Sequence, residues 1–365
     1  MSKIRIANAQ FEWELEQIST PQLETSFSIH PIYLQLQFIS CLYSDRDDVL
    51  MVSHLPDPEY KNRVEALGIS FPKLQLYTDS DIPKLPLDCW GTSQSIAVWA
   101  KKNKLPFTMP DWGCVKEVNS KEFSFLASPK LESAELIQNE REAQDWVNKT
   151  SGPRVLKSIY GLSGRGHLHI QNGLDAKAIS FLNKQWKAHH PVLAEPWVHR
   201  LLDFSTQWLI AEDGTLTYLG VTICQNDSRG SYKRTIVQPE DSIDPYNPFL
   251  MIHKEEVMRV LHLMYSKGYF GHVGVDAMIY EMQGKTHLHP IVEINARKTM
   301  GWVALTLQKR YFRQKTIAMS YDNVTKTSNL LPKFIVKAKD ETTTFSKVLQ
   351  LEILEKNKSW KDVYF

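Results

Sequence analysis

Three glycines in six residues, Gly161-Leu162-Ser163-Gly164-Arg165-Gly166, separate two apolar runs at 154–160 and 167–170. A glycine-rich break between two such runs marks a hairpin, so the glycines are expected at the tip of two strands. Glycine has no Cβ, so its backbone can approach a bulky anion and aim successive N–H groups at phosphate oxygens. Lys157 lies on the incoming strand, where its ammonium reaches the same anion as a point charge. The loop is not a Walker A loop, because no Gly-Lys-Ser/Thr follows. Nor is it a dinucleotide-binding turn, because the spacing differs and no helix begins within it. Taken alone, a plain hairpin tip explains these glycines equally well.

A second pattern lies toward the C-terminus. Strands are expected over 273–280 and 288–295, joined around Gln283-Gly284-Lys285. Side chains alternate faces along a strand, so Glu293 and Asn295 point the same way, and Asp276 faces them if the hairpin register allows. Two carboxylates and an amide oxygen form a hard, oxygen-only set suited to Mg²⁺, which completes its shell with water and phosphate oxygens. His287 and His289 share the Glu293 face nearer the turn and read as surface or supporting residues. Arg297 follows, with a planar fork able to hold a phosphoryl group or a carboxylate. On their own, these acids also fit a strand end paired with surface lysines.

Between the two patterns, Glu195-Pro196-Trp197-Val198 ends a strand expected over 192–198. Backbone groups there could pair with an adenine edge; Pro196 has no N–H, so Trp197 or Val198 must donate. Asp203 could accept from ribose hydroxyls, or equally cap a turn. The segment Arg229-Gly230-Ser231-Tyr232-Lys233-Arg234 is basic and reads either as a substrate-entrance loop or as a solvated hairpin tip.

The remaining elements frame these motifs. A strand is expected over 32–39 and a helix over 93–102, with Thr92 or Ser93 as its cap. The segment 105–113 reads as a connection. Asn119 with Glu122 suggests a capping box. Helices are expected over 132–149, 175–189, 255–267 and 303–318. In the third, Val257, Val260, Leu261 and Met264 fall on one face. Strands are expected over 206–211 and 216–223 around an Asp213-Gly214 turn. The tail beyond Pro332 shows only weak signals.

The net charge of the 365-residue chain is +2. That is too small to advertise nucleic acid or an anionic membrane as a partner, so phosphate-binding groups must be placed locally. Cys41, Cys89, Cys114 and Cys224 form no CxxC pair, which suits a reducing compartment. The N-terminus lacks a signal-peptide core, and no apolar run approaches a membrane span. A cytoplasmic enzyme is expected.

The order Lys121, Lys157 with the glycine hairpin, Glu195-Pro196-Trp197-Val198, Asp276 and Glu293-Ile294-Asn295-Ala296-Arg297 resembles the ATP-grasp superfamily, especially its carboxylate–amine ligases for amino acids and peptides. The resemblance covers about 119–307 and is sharpest at Glu-x-Asn-x-Arg. It implies an α/β fold with two lobes clamping ATP, preceded by an N-terminal α/β domain. The divisions are 1–115, a small lobe at 116–194, a large lobe at 195–330 and an extension at 331–365.

By that resemblance, Lys121 and Lys157 contact the α- and β-phosphates, and Gly161, Ser163, Gly164, Arg165 and Gly166 close over the β- and γ-phosphates. Glu195, Trp197 and Val198 hold adenine, and Asp203 holds the ribose. Asp276, Glu293 and Asn295 ligate one or two Mg²⁺, with Mn²⁺ as a substitute. Arg297 and Lys157 serve the chemistry. The substrates are a small-molecule carboxylate and an amine, joined through an acyl phosphate, and a homodimer is compatible with the sequence. A small-molecule kinase and a non-catalytic nucleotide-binding module are the alternatives. One departure stands out: many relatives carry an Arg two residues before the first metal aspartate, where this chain has Gly274.

Overall fold

Continuous apolar runs make the N-terminal sheet. Val49–Val52 is buried at all four positions, as expected of a parallel strand covered on both faces. It lies between Lys73–Leu76 and Ile4–Ile6, and Leu87–Cys89 completes a four-stranded parallel sheet. Arg5 is the polar exception: its guanidinium pairs with Asp48 and Asp88 on the two flanking sides. The computed structural model describes residues 1–161, 166–226, 230, 232–244, 247–324, 328–336 and 342–354.

A second, four-stranded antiparallel sheet has the order Glu135–Ile137, Val192–Pro196, Arg154–Ser158, His167–Ile170. The helices Glu140–Lys149 and Ala176–Lys187 bury Trp146, Ala178 and Leu182 in its small separate core. The glycine segment does connect two paired strands, Arg154–Ser158 and His167–Ile170. Gly166 has φ +87°, and a Cβ there would collide with the Ser158 hydroxyl, so glycine is required.

The third sheet has seven antiparallel strands. Its order is Lys285–Asn295, Gly271–Met282, His199–Ile210, Leu216–Asn226, Tyr232–Val237, Thr316–Asn323, Lys347–Leu354. Gln283 and Gly284, both with positive φ, form the two-residue turn between the first two. Helices Pro248–Ser266 and Met300–Tyr311 pack on this sheet, against Lys285–Asn295 and Leu216–Asn226 respectively. One core runs from the N-terminal sheet through to this one. Phe334–Val336 pairs with Leu55–Pro56 and with Thr342–Thr344, so part of the tail closes onto the N-terminal region.

Several expectations need correction. Residues 32–39 are not a strand but a helix, Pro31–Leu36, continued as a 3₁₀ turn, Gln37–Leu42. His30 Nδ1 accepts from the Ile32 N–H at 3.2 Å and Pro31 fills the first helical turn, a start signal that overrides the alternation of Ile32, Leu34 and Leu36. The segment read as a connection leads into a helix, Trp112–Val118, capped by Asp111. The next helix, Lys121–Ala127, is capped by Ser120 rather than by Asn119, whose Oδ1 instead accepts from the Ala296 N–H at 2.8 Å. Asn139 starts the helix at Glu140, and Glu135–Ile137 upstream is a strand. The helix Met300–Tyr311 ends well before Ala318, because Thr316–Asn323 joins the large sheet.

Candidate active site

The strands place the acids first. Asp276 pairs directly with Glu293, and Gly274 with Asn295, so the register condition is met. Asn295 Nδ2 donates to Asp276 Oδ2 at 3.2 Å, and Arg297 Nη2 donates to Asn295 Oδ1 at 3.0 Å. Burial and the neighbouring Glu293 push the Asp276 carboxyl up to about 6. Burial would raise Glu293 too, but the ammonium of Lys121 holds it below the usual carboxylate range. A break in the pairing between Asp276 and Met278 shifts the turn-side half of the hairpin. It brings His289, which is buried, near Glu195, and burial lowers its imidazole to about 4.

Two lysines reach this floor from the small sheet and its approach. Lys121 begins its helix, and its Nζ lies 2.8 Å from Glu293 Oε1 and 3.5 Å from the Gly161 carbonyl. Lys157 pairs with Glu195 on the adjacent strand, and both side chains are buried. That ammonium keeps the Glu195 carboxyl low against the opposing effect of burial. Lys157 is also opposite His167 in the hairpin. Burial and the two lysines depress the His167 imidazole to about 3, so it is neutral at physiological pH.

These groups line one cleft of about 350 Å³. Lys121, Lys157, Gly161, Asp276, Glu293 and Arg297 all face it. So do Trp197 and Asp203, whereas Glu195 and Val198 do not. Trp197 cannot be the adenine N–H donor, because its N–H already donates to the Pro153 carbonyl at 2.8 Å, extending the sheet by one bond. Its indole instead presents an aromatic face, with Arg200 4.9 Å from the ring centroid. Asp203 accepts from Arg200 at 3.1 Å and from Asn226 at 2.9 Å, and both oxygens retain lone pairs. Ser163, Gly164 and Arg165 lie outside the described residues, as do Arg229 and Ser231 of the basic segment.

Among the described residues, no three His, Cys, Asp or Glu side chains converge as a complete metal cage. Asp276 and Glu293 offer half of one, which suits a hard ion that takes the rest of its shell from phosphate and water. The Asn295 oxygen accepts from Arg297 and keeps a second lone pair.

No family model matches the chain. A segment of 161 residues is 31% identical to the [butirosin acyl-carrier protein]–L-glutamate ligase of Niallia circulans. It covers 43% of this chain and 36% of that ligase, so the match spans about a third of the relative's length. Phosphoribosylamine–glycine ligase of Thermotoga maritima superposes with a TM-score of 0.56 at 11% identity, over 99% of this chain and 94% of that one. The biotin carboxylase domain of Hydrogenobacter thermophilus 2-oxoglutarate carboxylase, solved with MgADP, ADP and bicarbonate, gives 0.50 at 12% identity. That superposition covers 96% of this chain and 85% of the other. The fold is ATP-grasp.

Within the ATP-grasp fold, the missing arginine at Gly274 has a steric cause. A Cβ there would lie 2.5 Å from Thr299 Cγ2 and 3.0 Å from Gln207 Oε1. Gln207 is fixed by Thr299 Oγ1 at 2.7 Å and Ser205 Oγ at 2.8 Å, so the space is filled by a packed polar cluster. Arg297, farther along the same segment, ion-pairs through its guanidinium with Glu12 from the N-terminal region.

Glu12 was not legible as a site residue. It lies in a short helix, Phe11–Leu15, with no motif around it. Burial raises its carboxyl, opposed by the charge of Arg297 and by hydrogen bonding from a backbone N–H and from the guanidinium. His167 was likewise read only as a strand residue; the signal available was its place opposite Lys157 across the glycine turn.

Proposed function

We propose that this chain is an ATP-dependent carboxylate–amine ligase. One observation carries the reading: Lys121 and Lys157 from one side, and Asp276, Glu293 and Arg297 from the other, converge on a single cleft in an ATP-grasp fold. These charges are those that phosphoryl transfer needs, and that reaction depends mainly on position and electrostatics.

The indole of Trp197 offers a face for the base, and Asp203 accepts from the ribose hydroxyls. Lys121 and Lys157 bind the α- and β-phosphates, and the segment Gly161 to Gly166, with Ser163, Gly164 and Arg165, covers the β- and γ-phosphates. Asp276 and Glu293, with Asn295, would hold Mg²⁺, which when bound neutralises the phosphate oxygens. Arg297 orients the substrate carboxylate.

A carboxylate oxygen attacks the γ-phosphorus, and the bond to the β–γ bridging oxygen breaks, its electron pair leaving on ADP. The acyl phosphate so formed has a good leaving group. A neutral amine then forms the C–N bond, phosphate departs with the C–O electron pair, and the amine's surplus proton ends on phosphate. Exclusion of water by the clamped lobes protects the acyl phosphate from hydrolysis.

Hydroxylamine tests this directly, because it traps an acyl phosphate as a hydroxamate. With ATP, Mg²⁺ and a panel of carboxylates, hydroxamate and free phosphate in equal amounts are expected. A stable phosphorylated product without hydroxamate would establish a kinase instead, and nucleotide binding without turnover on any substrate a non-catalytic module.

A further inference from the structure

Part of the cleft lining has a different character. Ile32, Leu36 and Ile39 fall at i, i+4 and i+7 and line it from the Pro31–Leu36 helix and its 3₁₀ continuation, with Tyr33 beside them. Trp90 and Met300 complete this apolar wall. Trp90 is held next to the Arg297 segment, because its carbonyl accepts from the Lys298 N–H at 2.9 Å. The same lining includes one ion pair, Glu12 with Arg297, whose side chains are only 10% and 11% exposed.

We infer that this part of the cleft binds an α-amino acid with an apolar side chain as the acyl donor. Its carboxylate lies on Arg297, its ammonium on Glu12 and its side chain against the wall. A buried pair of opposite charges facing a cavity is the complement of a zwitterion: each end of the ligand meets the opposite sign, and the pair is desolvated once rather than twice. The polar chain Asp276–Asn295–Arg297 puts that carboxylate next to the candidate metal floor, where transfer takes place. An ammonium held by Glu12 is protonated and is no nucleophile, so the attacking amine must come from a second molecule. An acidic or basic side chain would be buried against Ile32, Leu36 and Ile39 without a partner, which disfavours it.

The inference rests on the ligase reading above, and its test separates the two. Calorimetry first measures ADP binding with Mg²⁺; no binding overturns the ligase reading and this inference with it. Hydroxamate formation then compares leucine, methionine and phenylalanine with glutamate, lysine and 4-methylpentanoate, the last being leucine without its amino group. The apolar amino acids are expected to exceed the others in kcat/KM by at least about 100-fold, because a site built to bind a polar group rejects the analogue lacking it. Nucleotide binding together with preferred turnover of glutamate, lysine or 4-methylpentanoate overturns this inference alone.

Glu12→Gln is expected to shrink the leucine to 4-methylpentanoate ratio by about 10-fold or more. Equal losses on both substrates would mean that Glu12 only steadies Arg297, which also overturns the assignment. The wild-type ratio decides the matter even if the variant does not fold.

Discussion

Lys121 and Glu293 are 172 positions apart in the chain and 2.8 Å apart in the molecule. This ion pair, with the Ile294 N–H that donates to Ser124 Oγ, joins the helix Lys121–Ala127 to the strand that carries Asn295. In the ligase reading, it sets a phosphate-binding cation against a metal-binding carboxylate, so Mg²⁺ and nucleotide enter by exchanging partners with each other. Glu293→Gln keeps the shape and removes the charge. We expect ATP-dependent hydroxamate formation to fall by about 100-fold or more, with an unchanged circular dichroism spectrum.

Lys157 answers two needs at once, because its partner Glu195 is buried with it. Lys157→Ala is therefore expected to abolish activity and also to cost about 3–5 kcal/mol in chemical denaturation, since it leaves a buried carboxylate without a counter-ion. Adding Glu195→Gln should return most of that stability and none of the activity. A single variant as stable as the parent would refute the coupling.

The pH dependence of stability should carry the mark of Asp276. Its carboxyl, near 6 when folded, stands above the unfolded value of about 3.9, so the folded protein binds that proton more tightly. The resulting stabilisation is full below about pH 4 and is lost as pH rises through 6. Without nucleotide or metal, Asp276→Asn should melt close to wild type at pH 4 and above it at pH 7. The gap should open across that interval and stay constant beyond it.

Lys298 is only 2% exposed, donates to Asp88 Oδ1 at 2.6 Å and lies 5.4 Å from the Trp302 ring centroid. Lys298→Met removes one cation of a buried cluster that also contains Arg5 and Asp48. A loss of about 3 kcal/mol in urea unfolding is expected.

Gly274→Ala should cost about 1–3 kcal/mol, because its methyl group meets Thr299 Cγ2. Thr299→Ser removes that atom and keeps the hydroxyl that caps the following helix. The double variant should therefore be more stable than Gly274→Ala alone. Equal stability of the two would locate the strain elsewhere.

The floor of the candidate site was legible because strands have a period of two: Glu293, Asn295 and Asp276 needed only that rule and a two-residue turn. The helix at Pro31–Leu36 was not, since Ile32, Leu34 and Leu36 fit a strand as well as a helix, and the deciding signal was the side chain of His30. This error hid the apolar wall. Read as a strand, the segment puts Ile32 with Leu34; as a helix, it puts Ile32 with Leu36 and Ile39. Glu12 was hidden for a different reason. Its partner, Arg297, is far away in the chain, and no local pattern distinguishes an acid that finds a distant arginine from one that stays in water.

The packing around Gly274 also bears on how such a chain can change by mutation. Arginine at that position requires Gln207 and Thr299 to vacate the space together, and each is individually tied to the sheet or to the cap of a helix. No one-step replacement leads there through a folded intermediate of full stability. Placing an arginine at position 274 is thus a coordinated, epistatic change that must include Gln207 and Thr299.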